Sequence, residues 1–112
     1  MYEEFFDILC NDKKFITVEI NPPHGASIDG IIADIKKHNL HEKVTGFSCT
    51  DNPLAKLKMS GVLSAIKVQQ TFNKPVIATM SMRDKNKLSL QSTLLGANDF
   101  DLRCILALTG DP

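Results

Sequence analysis

Phe15-Ile16-Thr17-Val18-Glu19-Ile20-Asn21-Pro22-Pro23 is a β-like run that closes on polar residues and a double proline. Runs of the same form return at residues 44–49, 75–80 and 103–108. Each is followed by a polar stretch: Thr50-Asp51-Asn52-Pro53, Met82-Arg83-Asp84-Lys85-Asn86 and Thr109-Gly110-Asp111-Pro112. The four runs start at 15, 44, 75 and 103, so the intervals are 29, 31 and 28 residues. Helical patterns fill the gaps. Ile28, Ile31, Ile32 and Ile35 form one apolar stripe, with Asp29, Asp34, Lys36 and Lys37 off it and Ser27 as N-cap. Val62, Ala65 and Ile66 begin a second stripe after Ser60, and Leu90, Leu94, Leu95 and Ala97 form a third. Leu88, Leu90, Leu94 and Leu95 are read as core. Tyr2, Phe5, Phe6 and Leu9 make one more amphipathic helix ahead of the first strand.

Strands alternating with helices at this spacing imply a parallel sheet with helical crossovers. An open doubly wound sheet carries helices on both faces and needs both apolar. Here each strand has one apolar face and one mixed face that turns polar toward its C-terminal end. Ile16, Val18 and Ile20 oppose Phe15, Thr17 and Glu19, and Phe47 and Cys49 oppose Gly46, Ser48 and Thr50. Val76, Ala78 and Met80 oppose Ile77, Thr79 and Ser81. In the fourth run Cys104, Leu106 and Leu108 oppose Ile105, Ala107 and Thr109, and the inner face is expected to hold Phe15, Ile77 and Ile105. This pattern suits a (β/α)8 barrel, which gathers polar groups at the C-terminal mouth of its interior. A closed barrel needs eight strands and typically ~250 residues. The expectation is therefore an α/β chain of TIM-barrel type holding the first four strands only, a half barrel. Residues 1–14 are the N-terminal helix and 15–112 the half barrel.

The chain's 112 residues make one domain, and 43% hydrophobic with 23% charged residues suits a globular core. Thirteen basic and thirteen acidic side chains cancel, which removes the field that would recruit nucleic acid. The apolar runs are too short for a membrane span, and Met1-Tyr2-Glu3-Glu4 is acidic where a signal peptide is basic. Cys10, Cys49 and Cys104 read as reduced thiols of a cytoplasmic protein.

Glu19 stands out among the polar residues. A carboxylate inside an apolar β run costs strand propensity and desolvation unless it is used. Partial burial would raise its pKa and keep a proton at hand near neutrality, as a general acid requires. Asp111, behind Thr109-Gly110, would stand over the mouth, where the glycine allows close backbone approach. Asp51, Asn52, Asp84 and Asn86 read as cap or turn residues. His24 reads as a loop histidine, and His38 with His41 as a surface pair without a third metal ligand.

Taken together, Val18-Glu19-Ile20-Asn21-Pro22-Pro23, Thr50-Asp51-Asn52-Pro53-Leu54-Ala55 with Met59-Ser60, Arg83-Asp84-Lys85-Asn86, Leu90-Gln91-Ser92 with Leu94-Leu95-Gly96-Ala97, and Leu106-Ala107-Leu108-Thr109-Gly110-Asp111-Pro112 fall in order. In this the chain resembles the N-terminal half of methylenetetrahydrofolate reductases, in the branch that also occurs fused to homocysteine methyltransferase domains. The resemblance implies an FAD-containing barrel that reduces 5,10-methylenetetrahydrofolate to 5-methyltetrahydrofolate for methionine synthesis. NADH, NADPH or another electron donor would reduce the flavin. By position it implies that Glu19 is the general acid toward the folate ring nitrogen. Asp111 would lie by the flavin and bind the pterin, and Thr50, Thr79, Thr109 and Gly110 would line the flavin. Thr79 departs from the family, which often has histidine there.

Two function classes follow. One is this reductase, the chain being a truncated portion that is inactive alone, with a homo-oligomer expected. The other is a non-catalytic or partner-dependent half barrel that binds a pterin or a second polypeptide. A pterin-dependent methyltransferase is a distant third.

Overall fold

The computed structural model describes residues 1–109. Its elements run α1 (Tyr2–Cys10), β1 (Thr17–Ile20), α2 (Asp29–Lys37), α3 (Leu40–Lys43), β2 (Gly46–Cys49), a 3-10 turn (Pro53–Ala55), α4 (Gly61–Phe72), β3 (Val76–Ser81), α5 (Lys87–Asp99) and β4 (Cys104–Leu108). The strands form one sheet in the order β1-β2-β3-β4, every pairing parallel.

Register decides which residues share a face. Val18, Phe47 and Val76 stand side by side, as do Ile20, Cys49, Ala78 and Ile105. This row is buried against Ile28, Ile32 and Ile35 of the α2 segment and Val62, Ala65, Ile66 and Val68 of α4. The alternate row holds Glu19, Ser48, Ile77 and Cys104, then Thr79 beside Leu106 and Ser81 beside Leu108. Its residues range from half-buried to exposed. Helices therefore cover one face of the sheet, which is the half-barrel arrangement and not the doubly wound one.

Several local features differ from the sequence reading. The ladder of β1 begins at Thr17, because the Ile16 N–H donates to the Thr45 hydroxyl (3.2 Å) while its carbonyl accepts the Thr45 N–H (2.8 Å). The N-cap of α2 is Ile28, and the Ser27 hydroxyl accepts the Asp29 N–H (3.1 Å) from one position earlier. The short helix α3 enters through Asn39 in the left-handed region (φ 52°), a conformation asparagine tolerates. On β4 the faces are reversed: Ile105 aligns with Ala78 and packs on the core, so Leu106 and Leu108 turn to the open face. The expected leucine core of α5 is also corrected. Leu90 packs against the core, but Leu88 and Leu95 are each 75% exposed and Leu94 is exposed too. Among the described residues no element lies beyond β4 to cover that side of α5.

The opposite end of the sheet is closed by α1. Phe5 is buried and meets Phe15 edge-on at 5.7 Å. The Tyr2 hydroxyl accepts the Val76 N–H (3.0 Å) and donates to Gln69 Oε1, with the Val76 carbonyl also in reach. Gln69 in turn donates to the carbonyls of Phe100 (3.1 Å) and Asp101 (3.2 Å). One buried phenol thus joins α1, β3, α4 and the turn into β4, and burial pushes its pKa up. Tyr2→Phe strands the Val76 N–H and Gln69 Oε1, so it should destabilise the fold by ~1–3 kcal/mol in urea unfolding. A loss under ~0.3 kcal/mol would show that the network carries no weight.

The cysteines divide by depth. Cys10 is exposed, Cys104 half-buried and Cys49 buried in the core. Burial pushes the Cys49 thiol up from 9.0 to about 12. A disulfide reagent should label Cys10 first, Cys104 more slowly and Cys49 only on unfolding. Above pH 9 the unfolded chain releases the Cys49 proton that the native chain keeps. Stability should therefore fall as pH rises from 9 through about 12, and Cys49→Ala should flatten that decline.

Candidate functional site

All four strand ends open on one side of the molecule. Glu19 of β1, Thr50 and Asp51 after β2, Thr79 and Ser81 of β3, Lys85 beyond it, and Leu106, Leu108 and Thr109 of β4 line a cavity of about 350 Å³. The leucines of β4 supply an apolar wall, and the first three strands supply hydroxyls and charges. Such a mouth suits a flat, partly polar ligand.

Short polar bonds hold the ends in place. The Thr50 N–H donates to the Ile20 carbonyl (3.1 Å) and its hydroxyl to Asn21 Oδ1 (2.7 Å), tying β1 to β2 next to Glu19. At Gly61 an added Cβ would lie 2.4 Å from the Thr50 carbonyl oxygen, so only glycine lets α4 start hard against β2. Asn52 and Asn86 have the turn and cap roles expected of them. Asn52 (φ 43°) accepts the Lys58 N–H at 2.8 Å, and Asn86 accepts the Ser89 N–H at 2.8 Å. Asp84 is an exposed turn residue in the left-handed region (φ 60°). His24 is a loop tie. Its Nδ1 lies 2.8 Å from the Leu57 carbonyl and so must donate, leaving Nε2 to accept from Lys58 Nζ at 2.9 Å.

Asp51 is different from its turn-residue reading. Its side chain is 8% exposed, and Oδ2 accepts both the Ser81 N–H (2.8 Å) and a Lys85 N–H. Lys85 Nζ also donates to the Ser81 carbonyl (3.1 Å). This knot fixes the end of β2 against the end of β3 and the loop into α5. Neither Asp51 nor Lys85 was a candidate from sequence. Their 34-residue separation hides the pairing, and only two parallel strand ends brought side by side reveal it.

The sequence candidates Glu19, Thr50, Thr79 and Thr109 meet at the cavity. Gly110 and Asp111 lie outside the described residues. Glu19 is exposed, not partly buried, because no helix among the described residues covers its face of the sheet. Among the described residues no group of three or more His, Cys, Asp or Glu is placed to hold a metal ion. His38 is exposed, whereas His41 stacks on Phe72 at 5.0 Å and is only half open to solvent. No described helix is long and apolar enough to cross a membrane.

A family model described as methylenetetrahydrofolate reductase matches residues 4–112. The chain belongs to the methylenetetrahydrofolate reductase family. Comparison with curated proteins gives no match. Membership in the methylenetetrahydrofolate reductase family supports a folate-related reductase function, that of an oxidoreductase in one-carbon metabolism. It agrees with the resemblance carried by the strand-end motifs, and those motifs are the ones that line the mouth.

Asp51→Ala leaves the Ser81 N–H and the Lys85 ammonium without their shared acceptor. It should lower stability by ~1–3 kcal/mol in chemical unfolding. Unchanged stability would mean that the knot is incidental to the fold.

Proposed function

We propose that this mouth serves the flavin-dependent reduction of 5,10-methylenetetrahydrofolate to 5-methyltetrahydrofolate, in the cytoplasmic supply of methyl groups for methionine. The observation that carries the reading is Glu19. It is a carboxylate on the open face of β1, beside the cavity, and among the described residues it makes no hydrogen bond or ion pair. Exposed beside the cavity, this carboxylate is open to a ligand seated in the mouth.

The residues present suit FAD. Leu106 and Leu108 offer an apolar wall for a flat ring system, and Thr79, Ser81 and Lys85 offer donors for its oxygens. The Ser81 hydroxyl accepts the Arg83 N–H (3.1 Å), which leaves its own O–H to donate. Thr50, Thr109, Gly110 and Asp111 complete the proposed contacts, Asp111 toward the pterin. When bound, FAD would take reducing equivalents from NADH, NADPH or another donor and supply hydride to the folate. Glu19 would give its proton to the folate ring nitrogen so that the five-membered ring opens to an iminium. Thr79 supplies one hydroxyl where family members often carry an imidazole, so its contact is smaller.

Among the described residues β1 and β4 are the edge strands of the sheet, and with the exposed Leu106 and Leu108 this favours a second reading. In it the half barrel works only with a partner polypeptide that pairs those edges.

Glu19→Gln, placed in a complete barrel, should bind FAD and accept electrons from the donor while folate reduction falls by at least ~100-fold. Stopped-flow measurement of the two half-reactions separates them. Normal folate turnover in the Gln variant would remove Glu19 from the proton step.

A further inference from the structure

Lys85 is held more tightly than a tie between two loops requires. An ammonium has three N–H bonds. One goes to Asp51 Oδ2 and a second to the Ser81 carbonyl at 3.1 Å. Among the described residues the third has no acceptor, and the side chain lines the cavity with 23% of its surface exposed. Asp51 is nearly buried and takes the Ser81 N–H as well, so its carboxylate cannot swing away without breaking two bonds. A free lysine must give up much rotational freedom to meet a ligand. Here that freedom is already lost on folding, and the nitrogen is set in place beforehand. The neighbouring carboxylate offsets the charge, leaving a directed donor more than a net positive field.

We propose that Lys85, clamped by Asp51 and Ser81, donates its third N–H to an oxygen of the flavin bound in the mouth. Asp51 is then a positioning residue that acts through Lys85. The assignment rests on the flavin reading of the mouth. The oxygen belongs either to the ring system or to the phosphate, and the two sources are separable by experiment.

The test titrates the complete barrel that carries this chain with riboflavin, FMN and FAD and follows flavin fluorescence. The comparison is with Asp51→Asn/Lys85→Met, which removes both charges together and leaves no buried carboxylate unpaired; circular dichroism confirms that it folds. The double variant should bind about tenfold more weakly. An equal loss for all three flavins places the contact at the ring, and a loss confined to FMN and FAD places it at the phosphate. A double variant that binds all three as the parent does would overturn the assignment while leaving the flavin reading in place. A parent barrel that binds none of the three would overturn the flavin reading itself. Separately, Asp51→Asn should make Lys85 react several-fold faster with acetic anhydride, read by peptide mass spectrometry. An unchanged rate would overturn the clamp.

Discussion

Parallel pairing with helices on one side is the constraint on which the molecule depends. Strands in register share faces, so Ile20, Cys49, Ala78 and Ile105 line up against the helices. The same register puts Glu19, Ser48, Ile77 and Cys104 together on the other face, which no helix among the described residues covers. Burial on one side stabilises the sheet, with each large apolar side chain contributing roughly 1.5–3 kcal/mol. The open side is thereby free to carry polar chemistry. The core packs on one face of the sheet, and the polar groups of the strand ends gather on the other.

The two ends of the sheet divide as well. The N-terminal end is sealed by α1 and held by the buried Tyr2 hydroxyl and Gln69. At the C-terminal end side chains replace ladder bonds: Thr50 on Asn21, Asp51 on Ser81 and Lys85, Asn52 on Lys58. These bonds fix the spacing of the strand ends without filling the space between them. A mouth held open in this way costs little to reorganise when a ligand arrives.

Much of this was legible from the chain itself. The 30-residue repeat of β runs and polar strand ends located all four strands, and the isoleucine stripe located α2. What escaped was decided by neighbours far along the sequence. Strand parity set Leu106 and Leu108 opposite an inner-face Ile105, yet their face is fixed by alignment with Thr79 and Ser81 and is the open one. Glu19 was expected to be partly buried, but burial depends on what covers its face of the sheet, and a run of β residues carries no record of that. Asp51 sits in a Thr-Asp-Asn-Pro stretch whose composition spells a turn. Its carboxylate is engaged by Ser81 and Lys85 across the strand gap. Periodicity reports which elements form, and pairing between strands reports which side chains meet.

The central claim is that ligands of a methylenetetrahydrofolate reductase bind at the C-terminal strand ends on the uncovered face. Backbone hydrogen–deuterium exchange, with and without FAD and methylenetetrahydrofolate, measures this directly. Slowed exchange is expected around Asn21, Thr50, Ser81 and Leu108. The second cavity, at the α1 end beside Thr45 and Lys74, should not change. Protection confined to that α1 end would contradict the account.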